Sequence, residues 1–217
     1  MDGRNAPLEI IQTPPLKRLF DIVASAIVLV LLTPIMLLLL LLALLEQFIS
    51  PAARGALFYK ETRISQGKPF TFYKIRTFKM SALEKANGNG IVHTKKLEHD
   101  FRNLTIIGMV LIQVYLDEFP QLFLVFTGKM SFVGPRPTNP ETYAKYIARG
   151  NRAKVILKAG LTGRFQTHKA IKYGLDQEQV DMEYAYFCKN SSGLQIVVHD
   201  ITILLQTALT IMRAEGI

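Results

Sequence analysis

The feature that most constrains this chain is the run from Ile22 to Leu45, which holds no charged residue and only two polar side chains, Ser25 and Thr33. As a helix rising about 1.5 Å per residue, it can cross a hydrocarbon core roughly 30 Å thick. It is too long for the apolar core of a signal peptide, and no small-residue cleavage site follows it. The simplest expectation is one transmembrane helix. Two features point to another path. Pro34 sits near the middle, where proline removes a backbone hydrogen bond and crowds the preceding turn, so the helix should kink or break there. Both flanks are basic, with Lys17 and Arg18 before the run and Arg54, Lys60 and Arg63 after it. Basic flanks mark the cytoplasmic side. A helix that enters, bends at the Thr33-Pro34 hinge and returns puts both flanks on that side. Thr33 could then bond a carbonyl freed by the proline. Asp21 falls at headgroup level, near Lys17 and Arg18. A kinked spanning helix stays open beside the re-entrant one.

The 217 residues leave room for one compact domain beyond this segment. The net charge of +9 calls for an anionic partner such as a phosphorylated substrate, anionic lipid or nucleic acid. Cys188 is the only cysteine, so no intrachain disulfide forms, which fits a reducing compartment. Residues 1–16 contain Pro7, Pro14 and Pro15 and read as a tail. The aromatic and β-branched stretches 56–59 and 70–76 flank the polar turn Ser65-Gln66-Gly67-Lys68, a hairpin pattern. Residues 87–90 (NGNG) read as a loop. From Leu97 to Leu116, Phe101, Leu104, Ile107 and Leu111 recur at helical spacing, and Val180, Tyr184 and Phe187 suggest a further helix. In the last segment Val197, Ile201, Leu204, Leu205, Ala208 and Met212 share one helical face, which suits either a core-facing helix or one lying in a membrane interface.

Three clusters could carry chemistry. Asp117 and Glu118 stand together in LDEFPQL, just before Pro120. Acidic residues and proline also favour a helix start, so this pair has a purely structural reading. Functionally, one carboxylate can attack phosphorus and form an acyl-phosphate, while the other binds Mg²⁺. Arg136 lies between Pro135 and Pro137, where a rigid backbone would present its guanidinium to phosphate oxygens; a solvated turn is the plain alternative. Lys74 and Arg76 alternate on a strand and so share a face, giving two cations for a diphosphate or merely a solvated edge. Other chemistries lack support. His93, His99, His168 and His199 do not have zinc-site spacing, no glycine-rich nucleotide loop is present, and no nucleic-acid motif accompanies the dispersed basic charge.

Taken in order, KRLFDIV, the apolar run with its hydroxyl-proline pair, GKPFTFYKIRT, LDEFPQL, GKMSFVGPRP and AGLTG resemble the bacterial sugar transferases of the monotopic phosphoglycosyl transferase superfamily. The match covers about Lys17 to Met212, and LDEFPQL followed closely by MSFVGPRP is its specific signature. The resemblance implies an α+β, predominantly helical protein. It would have a re-entrant membrane helix over 17–50, hinged at Thr33-Pro34, and a catalytic domain over 51–217. That domain would carry a small β-hairpin and interfacial amphipathic helices, at the cytoplasmic face of the bacterial inner membrane. It further implies a Mg²⁺-dependent ping-pong transfer that starts a surface glycan. Asp117 would attack a nucleoside diphosphate sugar, most simply a UDP-sugar, and hold the phosphosugar until polyprenyl phosphate takes it. Glu118 would bind the metal, Arg136 would contact phosphate, Lys74 and Arg76 would lie close by, and Asp200 occupies the place of a family carboxylate. Partners would be the sugar nucleotide, polyprenyl phosphate and membrane lipid, with no nucleic acid; a homo-oligomer is compatible with all of this.

The chain also departs from the family pattern. Ile112, Gln113 and Val114 stand where an arginine is usual, Lys129 replaces an acid, Leu124 an asparagine and Ala159 a proline, and Thr167-His168-Lys169 represents a later NGR-like segment. These changes bear on the donor's identity. They also motivate the competing expectation of a catalytically inactive member that serves as a membrane partner or scaffold in glycan assembly.

Overall fold

The computed structural model describes residues 9–86, 100–167 and 176–212. The expected 87–90 loop, His93, His99, and residues 168 and 169 of the NGR-like segment lie outside them. The fold is helix-rich α+β. In chain order it runs α1 (Pro15–Ile49), β1 (Phe58–Ser65), β2 (Lys68–Ile75), α2 (Met80–Ala86), α3 (Ile106–Gln113), α4 (Gln121–Phe126), β3 (Ser131–Val133), α5 (Pro140–Ala148), α6 (Ala153–Ile156), β4 (Gly160–Thr162), α7 (Arg164–Thr167), α8 (Gln177–Asn190) and α9 (Gly193–Met212). Contacts divide the chain into two compact units. The first comprises Met1–Ile27, Glu61–Phe72 and Gln121–Ile217, and the second Val28–Lys60 and Tyr73–Pro120.

Helix α1 does not break at its proline: it is assigned as helix from Pro15 through Pro34 to Ile49. Pro34 has no N–H, so the carbonyl it frees is that of Val30. The Thr33 hydroxyl does not serve that carbonyl but donates to Leu29 O at 2.6 Å. Among the described residues two helices, α1 and α9, are long and apolar enough to cross a membrane.

The expected hairpin is present. β1 and β2 pair across Gln66 and Gly67, whose φ values of 48° and 70° are both left-handed. That is the backbone a two-residue turn needs to match the twist of its strands.

The first unit is built around a short parallel pair, β3 with β4, in register Ser131↔Gly160 and Val133↔Thr162. SFVGPRP and AGLTG are therefore partners in one sheet. The pairing continues past β3, as Gly160 N donates to Pro135 O at 3.0 Å. Gly134 is obligatory here: a Cβ on it would lie 2.4 Å from Lys158 O. Helix α8 forms where Val180 and Tyr184 predicted it, and both are buried. Helix α9 buries Ile196, Asp200 and Ile203 and exposes Leu194, Val198, Ile201, Leu205 and Leu209. The outward apolar stripe is thus rotated from the expected set, because Val197 and Leu204 are half-buried.

The second unit has its core at Met36, Ile75 and Leu111, with Leu32, Leu39, Leu40, Ile107, Leu116 and Phe119 packed around them. The start of the helix expected over 97–116 lies outside the described residues, and from residue 100 on the helical spacing is not followed as one helix. Asp100 caps a 3₁₀ turn at Phe101–Asn103, Leu104 is extended, and Thr105 caps α3 by accepting from Gly108 N at 2.9 Å. Side chains that satisfy backbone N–H groups set the helix start here, overriding the periodicity. Glu46, at the end of α1, also accepts from the first N–H groups of α3, Ile106 N at 2.7 Å and Ile107 N at 3.0 Å.

Candidate active site

The dyad is set up by the way α3 ends. Tyr115 takes a left-handed conformation, φ 56°, and Leu116–Glu118 then form one 3₁₀ turn. Residues three apart eclipse each other in such a turn. Leu116 and Phe119 accordingly both enter the apolar core of the second unit beside Met36. Asp117 and Glu118 meet Lys74 instead, whose Nζ lies 3.1 Å from Asp117 Oδ2 and 3.1 Å from Glu118 Oε1. Asp117 is buried and Glu118 half-buried. One ammonium thus bridges two adjacent carboxylates in a partly dry setting, where charge interactions are several times stronger than in water. The helix-start reading of the pair does not describe the fold, since α4 begins only at Gln121.

Arg76 does not join Lys74. It follows the last residue of β2, and its guanidinium turns into the body of the second unit. Nε donates to Ala56 O at 2.6 Å, Nη1 to Phe78 O at 2.6 Å and Nη2 to Ala53 O at 2.7 Å. Burial lowers its pKa, with Glu46 opposing that effect. The same-face expectation for Lys74 and Arg76 fails because strand alternation stops at Ile75. Arg76 ties the connection between α1 and β1 to the one between β2 and α2.

The other sequence candidates belong to the first unit. Arg136 follows β3 with a half-buried side chain, and its carbonyl accepts from Lys154 Nζ at 2.8 Å. Asp200 is fully buried. It is ion-paired with Lys17 and accepts from the Tyr184 hydroxyl at 2.7 Å. In the same cluster Asp21 accepts from Ser131 Oγ at 2.8 Å and Phe132 N at 3.2 Å. Arg18 donates to Val125 O at 2.7 Å and to Phe126 O. Each polar residue of KRLFD is therefore an anchor for the start of α1. Sequence reasoning placed Asp21 at headgroup level; it is buried against β3. Of the missed partners, Ser131 carries no sequence signal beyond its place in GKMSFVGPRP, and Tyr184 none beyond its place in the helical spacing of α8.

Among the described residues no group of three or more His, Cys, Asp or Glu side chains could hold a metal ion. The dyad still suits magnesium, which needs only one or two carboxylates and completes its shell with phosphate oxygens and water.

The bacterial sugar transferase family model matches residues 12–214. The chain belongs to that family. It is 30% identical over 210 residues to an undecaprenyl-phosphate galactose phosphotransferase of Salmonella typhimurium, an alignment covering 93% of this chain and 41% of that protein. It is 36% identical over 152 residues to the UDP-glucose:undecaprenyl-phosphate glucose-1-phosphate transferase of Escherichia coli K12, covering 68% of this chain and 30% of the relative. With a sugar transferase of Bacillus subtilis, EpsL, it shares 33% identity over 209 residues, 93% of this chain and 90% of the relative. The chain thus spans less than half the length of the two relatives named for undecaprenyl-phosphate transfer.

Proposed function

We propose that this protein moves a sugar-1-phosphate from a nucleoside diphosphate sugar, most simply a UDP-sugar, to polyprenyl phosphate, and so initiates a membrane-bound glycan. The observation that carries the reading is the Asp117–Glu118 pair held by Lys74 beside the apolar core that α1 helps to form. Such chemistry has a soluble donor and a lipid acceptor, and a dyad next to a membrane-inserted helix suits both.

In the first step an Asp117 carboxylate oxygen attacks the sugar-bearing phosphorus. A P–O bond forms to aspartate, and the bond to the nucleoside monophosphate breaks, that group leaving with the electron pair. In the second step a phosphate oxygen of the polyprenyl carrier attacks the same phosphorus and aspartate departs, giving the polyprenyl diphosphate sugar. Splitting one displacement into two is what a carboxylate nucleophile offers. Lys74 orients both carboxylates and offsets charge as the anionic donor approaches. Glu118 would hold Mg²⁺, which would neutralise diphosphate charge. Arg136 contributes a guanidinium for phosphate oxygens. We place the protein at the cytoplasmic membrane face, with α1 re-entrant. The test is release of UMP by detergent-solubilised protein supplied with undecaprenyl phosphate, Mg²⁺ and a panel of UDP-sugars. Release with a donor, lost in Asp117→Asn, is expected; release independent of Asp117 would refute the nucleophile.

A further inference from the structure

The first unit buries a second charged group that the transfer chemistry above does not use. Lys154 of α6 and Asp181 of α8 are both buried. Lys154 Nζ lies 3.6 Å from Asp181 Oδ2 and 5.0 Å from the centre of the Tyr146 ring. At that separation the acid is an ion-pair partner, and Asp181 Oδ2 has no hydrogen-bond partner among the described residues. The ammonium's hydrogen bond goes instead to the Arg136 carbonyl, at 2.8 Å.

A buried ion pair is a costly way to join two helices, and an apolar pair of similar volume often does as well. An apolar pair cannot supply a donor to a backbone carbonyl. That matters in Pro135-Arg136-Pro137, where neither proline has an N–H with which to tie the backbone down. All three of its carbonyls are taken. Gly160 N donates to Pro135 O at 3.0 Å, Lys154 Nζ to Arg136 O at 2.8 Å, and Arg63 Nη1 to Pro137 O at 3.3 Å. Arg63 is itself held, by Glu61 at 2.6 Å and over the Phe72 ring at 5.4 Å.

We infer that Lys154, held by Asp181 and assisted by Arg63, is a positioning residue that clamps the Pro135–Pro137 backbone and so fixes how the Arg136 guanidinium is presented to a phosphate of the sugar nucleotide. The inference rests on the transfer reading for what Arg136 grips, but not for the clamp itself. Burial pushes the Asp181 carboxyl up to about 6, against the pull of Lys154 and of Gln177, with Asp176 adding to the rise. Burial lowers the Lys154 pKa; Asp181 and Glu178 support its charge and the Arg136 guanidinium opposes it. From α7, Arg164 is paired with Glu183. Near pH 6 Lys154 therefore loses its counter-ion, and the clamp should weaken as the pH falls.

The test uses the full chain in detergent, with two readouts. The first is the donor KM and kcat for UMP release in the wild type, Lys154→Met, Lys154→Arg and Asp181→Asn. Lys154→Met should raise KM about tenfold, the worth of one hydrogen bond to a charged donor, with kcat changed far less. Lys154→Arg should recover most of the loss. The wild-type rise in KM below pH 6 should be absent from Asp181→Asn. An unchanged KM with kcat reduced in step with the folded fraction would overturn the positioning role, as would an arginine variant no better than methionine. The second readout is amide hydrogen exchange of the peptide covering 131–139, which should speed up in Lys154→Met. Exchange at the wild-type rate would overturn the clamp whether or not the protein transfers sugar. If the wild type releases no UMP while the variant's exchange speeds up, the transfer reading fails, and with it the presentation of Arg136 to a nucleotide. Should Lys154→Met not fold, Arg63→Met reads the same peptide through the Pro137 carbonyl, with the same two outcomes.

Discussion

Replacing Lys74 by methionine keeps the length of the side chain and removes its charge. Lys74 Nζ sits 3.1 Å from one oxygen of Asp117 and 3.1 Å from one of Glu118. At an effective dielectric of about 20, each contact corresponds to roughly 5 kcal/mol of Coulomb attraction. Most of that is offset by desolvation of the three groups, and Glu118 keeps some contact with water. A net loss of about 3 kcal/mol of transition-state stabilisation is a reasonable expectation, the size seen when one charge-stabilising donor is removed from an active site. That corresponds to a fall of about 150-fold in kcat/KM. The change should appear in both parameters, because two uncompensated carboxylates repel the anionic donor and also lose their orientation. The assay is UMP release under subsaturating and saturating donor, with circular dichroism confirming that the variant is folded. A folded Lys74→Met protein within about threefold of wild-type kcat/KM would refute the idea that this ammonium organises the dyad.

Arg76→Met should destabilise the protein by about 3 kcal/mol, because three carbonyls lose a charged donor, and should lower the denaturation midpoint in urea; an unchanged midpoint would contradict its anchoring role. Asp21→Ala removes both carboxylate acceptors and leaves the Phe132 N–H and the Ser131 hydroxyl without their partner; the expected cost is about 1–3 kcal/mol by the same denaturation assay, and no cost would remove the anchor assigned to KRLFD. In a Cys188→Ala background, single cysteines at Asn5→Cys and Ala214→Cys should both be labelled only from the cytoplasmic side of membrane vesicles. Labelling from opposite sides would contradict a re-entrant α1 beside an interfacial α9.

How much of this was legible in the residues depends on the range of the forces involved. The hairpin could be read because Gln66-Gly67 states its own turn chemistry locally. The long apolar helix could be read because Ile22 to Leu45 leaves few alternatives. α8 followed from the spacing of Val180 and Tyr184. The start of α3 could not be read from periodicity, since capping by Thr105 and by the distant Glu46 decides it. Arg76 was assigned to the site by strand alternation, yet one residue beyond the strand end that rule no longer applies. Asp200 illustrates the same limit. Its motif position suggests chemistry, and only the fold shows that Lys17 and Tyr184 engage it. The Asp117–Glu118 pair taken alone also fits a helix start; it stood out only together with the motif that follows it, and nothing local reveals that Lys74 bridges both carboxylates. Long-range pairs of buried charge, Lys154 with Asp181 among them, leave no periodic trace.

The most direct measurement of the transfer chemistry is intact-mass analysis of the purified protein after incubation with a UDP-sugar and Mg²⁺ but no polyprenyl phosphate. Wild-type protein should gain the mass of one phosphosugar, mapped to Asp117, release one equivalent of UMP, and lose the adduct when polyprenyl phosphate is added. Asp117→Asn should show neither the adduct nor UMP. UMP release by Asp117→Asn at the wild-type rate would contradict a covalent aspartyl intermediate.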